Sequence, residues 1–209
     1  QAILNRLRAA HRKHIRDTVD LGFLPESEAW KMFAKQPGWT LGQTGKVNMA
    51  PVLRAATQVG LATEKTIVKN LSSKNPSIRY WGAIALAQLD NISIESKREL
   101  QKRLHDPSPA VRIESANTLA RHGDLNAAVL ALIKDLAHEN LIIVTHAART
   151  IELLGSKAAA ARPAMERALK RAEKIRPPDL SPVIVLPGDK DLAMFVAFSC
   201  RAFLEKLEK

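Results

Sequence analysis

The sequence predicts an all-α chain of antiparallel helix pairs stacked as a solenoid. Three observations carry that reading. A segment recurs along the chain at a near-constant spacing, each copy holds two stretches of helical apolar periodicity, and aromatics make up only 4% of residues while Ala and Leu recur throughout. Ala- and Leu-rich segments suit close helix packing, whereas a β-sandwich favours Val, Thr and Tyr.

The repeat comes first because missing it would misread the whole fold. Asn75-Pro76-Ser77-Ile78-Arg79 superimposes on Ser108-Pro109-Ala110-Val111-Arg112 at a shift of 33, which also carries Leu71 onto Leu104, Ala83 onto Ala116 and Leu86 onto Leu119. A third copy follows at a shift of 32, taking Leu104 to Leu136, Val111 to Ile143, Ala116 to Ala148, Leu119 to Ile151 and Gly123 to Gly155. In that copy Leu125, Ala128, Val129, Leu132, Ile133 and Leu136 form the stripe of a helix with one buried face, and Asp124 stands at its expected N-cap. The second helix of each copy opens with Asn75-Pro76, Ser108-Pro109 or Asn140-Leu141, a capping side chain followed in two cases by Pro at the first helical position. Gly123 and Gly155 are expected to close two helices in the left-handed conformation. Small residues at mid-helix (Gly82, Ala83 and Ala85; Ser115 and Ala116; Ala147 and Ala148) let neighbouring backbones approach. These are the features of a HEAT-like α-solenoid.

Residues 1–47 read as a helical connector and loop, and 48–209 as the repeat array, with pairs at about 62–90, 93–122, 124–154 and 156–208. The connector opens with a basic amphipathic helix over 2–19. It is broken at Asp20-Leu21-Gly22-Phe23-Leu24-Pro25-Glu26 and followed by a short helix from Ser27 to Phe33, a loop over 36–46 and a helix capped by Asn48. In the last pair a Pro-rich insertion, 176–190, carries Pro177, Pro178, Pro182 and Pro187 and is incompatible with regular helix.

Lys and Arg number 32 against 21 Asp and Glu, a net charge of +11. That balance raises a polyanion partner: nucleic acid, a sulfated glycan or an acidic protein face. The basic runs are Arg6-Arg8-Arg12-Lys13-Arg16 and Arg162-Arg167-Lys170-Arg171-Lys174-Arg176, each along an expected helix and more simply read as solvated faces. No segment approaches the roughly 20 apolar residues of a membrane span, so no membrane role is expected. The chain opens at Gln1 within a helical pattern and without a signal peptide's apolar centre, so it is expected to be the mature or C-terminal part of something longer.

No Gly-rich phosphate loop, nucleophile elbow or His-Glu-x-x-His zinc motif occurs. No catalytic, cofactor-binding or metal-ligating residue is therefore assigned. Cys200, the only cysteine, sits in an apolar run and reads as a buried structural thiol. His11 and His14 share a helical face but lack further ligands, and His105, His122, His138 and His146 fall at unmatched repeat positions, so packing or surface roles are expected. Arg79 and Arg112 do recur, with Asp106 nearby, and suggest an inter-repeat ladder of guanidinium groups on carboxylates or carbonyls, interrupted where Val144 replaces Arg. Trp81, three residues from Ile78, reads as core.

Arg16 to Glu26, with its Asp-Leu-Gly-Phe-Leu-Pro-Glu string, then Asn75 to Leu89 containing Arg79-Tyr80-Trp81-Gly82-Ala83, and His138-Glu139-Asn140, together resemble the C-terminal region of bacterial sulfatases that bear HEAT-like repeats. In that family an upstream alkaline-phosphatase-like domain hydrolyses sulfate esters through a formylglycine in a Cys-x-Pro-x-Arg motif beside calcium. Cys200 is followed by Arg201-Ala202, so none of that machinery maps onto this chain. The resemblance implies a non-catalytic accessory domain with Asp20 to Glu26 at the junction with the enzyme and an anionic sulfated substrate nearby. It also implies calcium only in the upstream domain, and a periplasmic or secreted setting. A nucleic-acid-binding helical-repeat protein, such as a DNA glycosylase of this architecture, and a stand-alone interaction scaffold are the competing expectations.

Overall fold

The computed structural model describes residues 1–45, 47–181 and 184–208, and every regular element among them is helical. Lys46 of the expected 36–46 loop, Pro182 and Val183 of the Pro-rich insertion, and Lys209 lie outside the described residues. The fold class is all-α, of HEAT-like helix pairs, and the chain divides into two compact units, Gln1–Asp90 and Asn91–Lys209. The first expected pair therefore belongs with the connector's helices.

In the first unit α1 (Ala2–Asp17) buries only Ile15. It ends in a Schellman motif: Asp20 N–H donates to the Ile15 carbonyl and Val19 N–H to that of Arg16. Val19 occupies the left-handed position at φ +48°, a place glycine usually takes because a β-branched side chain is strained there. A 3₁₀ turn, Leu21–Phe23, leads to α2 (Glu26–Phe33), whose first turn carries Glu26 and Glu28 where the helix dipole favours negative charge. The segment expected to be a loop holds a helix, α3 (Gly38–Gln43). Pro37 sets the extended entry conformation and burial of Leu41 holds the turn, signals that three glycines and a proline obscure in sequence. α4 (Ala50–Ala56) follows the Asn48 side chain, which accepts from Ala50 N–H. α5 (Glu64–Val68) runs into a 3₁₀ turn, Lys69–Ser72, and α6 (Pro76–Leu86) packs on that turn and on α4.

The approach of α6 to the Lys69–Ser72 turn requires glycine. A Cβ on Gly82 would stand 2.9 Å from the Cβ of Asn70, whose amide is held by Gln58. Trp81 is half-buried rather than core, because its Nε1–H donates 2.8 Å to the Phe23 carbonyl and its ring meets Phe23 at 6.1 Å.

The second unit holds the three later pairs: α7 (Ile94–Arg103) with α8 (Pro109–Arg121), α9 (Leu125–Leu136) with α10 (Leu141–Leu154), and α11 (Arg162–Ile175) with α12 (Ala193–Leu207). Gly123 (φ +95°) and Gly155 (φ +60°) end α8 and α10, and a 3₁₀ segment, Gly155–Ala161, precedes α11. Helices α8, α10 and α12 form one layer, with α10 packed on both neighbours, and α9 and α11 lie behind it. Leu100, Val111, Leu119, Leu132, Ile151, Met165 and Phe203 fill the core between the layers. Each such side chain contributes about 1.5–3 kcal/mol on burial. Asp124 does not cap α9; its carboxylate accepts from the Gln101 amide at 2.6 Å. Among the described residues of the Pro-rich insertion no helix forms before Lys190.

Candidate binding surface

Each copy starts its second helix in the same way, and the side chains that do so differ in type. The residue two before the N-cap accepts the cap's own N–H: Ser73 Oγ from Asn75 at 3.2 Å, Asp106 Oδ1 from Ser108 at 2.9 Å, and His138 Nδ1 from Asn140 at 3.0 Å. His138 thus does occupy a recurring position, hidden because Ser, Asp and His share only their acceptor capacity. Asn75 and Asn140 then accept from Ser77 and Ile142 N–H, while Ser108 makes no such bond.

The carbonyls of those same three residues receive arginines. Arg79 donates to the Ser73 carbonyl at 2.8 Å and the Lys74 carbonyl at 3.1 Å. Arg112 donates 2.8 Å to the Asp106 carbonyl and grips Asp135 of the next copy with Nη2 at 2.6 Å and Nε at 3.3 Å. Asp106 is buried, and its carboxylate serves Ser108 N–H and Arg103. Where Val144 removes the third arginine, Arg171 of α11 reaches the His138 carbonyl at 2.8 Å. That substitute comes from the next helix pair, 27 residues after Val144, rather than from the repeat position itself.

The basic run on α11 separates into different roles. Arg171 is used as described, and Arg176 is buried, donating to the Ser181 and Ile184 carbonyls at 2.7 and 2.8 Å and pairing with Asp191. Arg176 is therefore the anchor of the Pro-rich insertion, not part of a solvated face. Arg162 pairs with Glu166, and Arg167, Lys170 and Lys174 remain exposed. On α1, by contrast, Arg6, Arg8, Lys13 and Arg16 stay exposed and Arg12 is half-buried.

Asp20 to Glu26 is tied into the first unit. Asp20 Oδ1 accepts from Gly22 N–H at 2.9 Å, Phe23 engages Trp81, and Pro25 supplies the entry to α2.

The surface best suited to a ligand runs along the seam of α10 and α12. Phe195 and Phe198 lie edge to face with centroids 6.4 Å apart and are 46% and 52% exposed, unusual for paired aromatics on a packed helix. They border a cavity of about 390 Å³ completed by Thr145, Arg149, Glu152, Ser199 and Ala202. The Thr145 hydroxyl oxygen is buried with no partner among the described residues. Arg149 pairs with Glu152 at 2.6 Å on the rim. Across the neighbouring seam, His146 Nε2 meets Glu114 at 2.8 Å, a contact between copies where the sequence suggests only a packing or surface role. Burial raises the Glu114 carboxyl, but the His146 bond, the Asn117 amide and the Arg121 charge outweigh it and hold the group below the usual carboxylate range.

Cys200 sits on the buried face of α12 against Met165, and burial pushes its thiol up to about 12, so it is no nucleophile at neutral pH. Among the described residues no group of three or more His, Cys, Asp or Glu stands where it would hold a metal ion, and no helix is long and apolar enough to cross a membrane. Aromatic faces, an unpartnered hydroxyl and a paired charge are the chemistry of binding.

Residues 64–152, just under half of the chain, match the family of HEAT repeats. The match begins at α5 and ends in α10. Comparison with curated proteins and with solved structures found no match. The matched segment has the stacked helix-pair architecture of a repeat array.

Proposed function

We propose that this chain is a non-catalytic accessory scaffold whose α10–α12 groove docks a protein surface, and that its partner is a sulfatase catalytic domain of the same polypeptide. The exposed Phe195–Phe198 pair beside the unpartnered Thr145 hydroxyl supports the docking role, because half-exposed aromatics over a cavity are what interface anchors use. Support for the partner's identity is the sequence resemblance in Asp20–Glu26, Asn75–Leu89 and His138–Asn140. On this reading calcium and the sulfate-ester chemistry belong to the upstream domain, and the array braces it or shapes access for an anionic sulfated substrate.

The coding sequence upstream of Gln1 tests the partner: an alkaline-phosphatase-like domain with a Cys-x-Pro-x-Arg motif is expected, and an unrelated domain there refutes it. Docking is tested separately by F195S/F198S. Association with the catalytic domain should weaken roughly tenfold or more while helical content is unchanged; unchanged association excludes the groove. A second reading, polyanion binding, draws on the four exposed basic side chains of α1, Arg6, Arg8, Lys13 and Arg16. Duplex DNA binding that falls steeply with salt would favour it, and no binding at low salt would remove it.

A further inference from the structure

A second cavity, on the opposite layer of the second unit and unrelated to the groove above, has its own chemistry. It lies between α9 and α11, measures about 200 Å³, and is lined by Ile133, Leu136, Ala137, Ala164, Ala168, Arg167 and Arg171. Its floor is apolar because α11 presents Ala164 and Ala168 where larger side chains would fill the space. Its rim holds two guanidinium groups one helical turn apart.

The two arginines differ. Arg171 is fixed by its bond from Nη2 to the His138 carbonyl, which leaves Nε and Nη1 unengaged among the described residues. Arg167 is exposed and has no partner among the described residues. One preset and one adjustable guanidinium above an apolar floor match a planar anion that carries an apolar group. A bare phosphate or sulfate would satisfy the arginines but leave the floor in water. A hydroxyl-rich sugar would find no acceptor among the floor's five apolar side chains. The volume admits a branched aliphatic or phenyl group.

We infer that the α9–α11 cavity binds a carboxylate borne on a short branched or aromatic group, with the carboxylate on Arg167 and Arg171 and the apolar group against Ile133, Leu136, Ala164 and Ala168. Two sources present that chemistry: a free organic acid, and the C-terminal residue of a partner protein.

The test is titration of the full chain, ¹⁵N-labelled, with 4-methylpentanoate, and with a short peptide ending in leucine. Saturable shifts confined to the cavity residues are expected. The corresponding amide should bind at least tenfold more weakly, as should the acid to R167Q, an exposed substitution that leaves the fold intact. A168L, which fills the floor, should abolish binding with helical content unchanged. Tighter binding of the peptide than of the free acid assigns the site to a chain end, and the reverse assigns it to a metabolite. Equal binding of acid and amide, undiminished binding to R167Q, or inorganic phosphate binding as tightly as the acid would overturn the inference.

Discussion

Gly82 and Ser115 occupy the same repeat position in the two compact units, 33 residues apart, and the two units use that position in opposite ways. In the first unit the helix crosses so close to the Lys69–Ser72 turn that the Asn70 Cβ leaves no room for a side chain. In the second unit the same position holds a side chain: Ser115 is fully buried with its hydroxyl unpartnered among the described residues. The same divergence runs through the architecture. The first unit joins a 16-residue helix that buries one side chain to helices of eight residues or fewer and the 11-residue α6, whereas every α-helix of the second has ten or more. A repeat position therefore dictates that a residue be small, and only the local crossing decides how small.

The largest expected effect probes the arginine ladder of the second unit. R112A leaves Asp135, 3% exposed, without its bidentate partner, and should cost about 3–5 kcal/mol in denaturant unfolding. A cost below about 1 kcal/mol would show that the ladder is incidental. Next, G82A should destabilise by about 1–3 kcal/mol even though alanine is the better helix former by about 1 kcal/mol, because a Cβ close to the main chain cannot swing aside. S115A at the matching position should do the reverse and stabilise by about 1 kcal/mol, by removing an unsatisfied buried hydroxyl. Were both substitutions to shift the thermal midpoint in the same direction, the contrast between the units would fail.

The smallest effect is on pH dependence. The Glu114 carboxyl is held below its ordinary value near 4.5 in the folded chain, so the unfolded chain binds its proton first as pH falls. Its contribution is complete above about 4.5 and is lost as pH drops through the lowered folded value. E114Q should flatten that acid step; an unaltered acid limb would mean that the His146 contact does not favour the charged form.

How far the sequence reached depends on distance along the chain. The helix pairs of the second unit, their glycine stops and the buried thiol of Cys200 were legible because periodicity and capping act within a few residues. The α3 helix was missed because Leu41 alone carries its burial signal. In the sequence Arg171 and Arg176 read as surface charge because their partners, His138, Ser181, Ile184 and Asp191, lie on other segments. Nothing in the sequence marks the Phe195–Phe198 pair as exposed, since i, i+3 spacing does not say whether a neighbouring helix covers it.

By itself, the sequence determined that this chain is a series of helix pairs at a spacing of 33 and 32 residues, since a helical period and its caps are local properties. The tertiary structure alone decided which arginine serves which carbonyl, which aromatics stay in solvent and where cavities open between layers. Those outcomes depend on side chains meeting from distant segments, and no short-range pattern encodes such meetings.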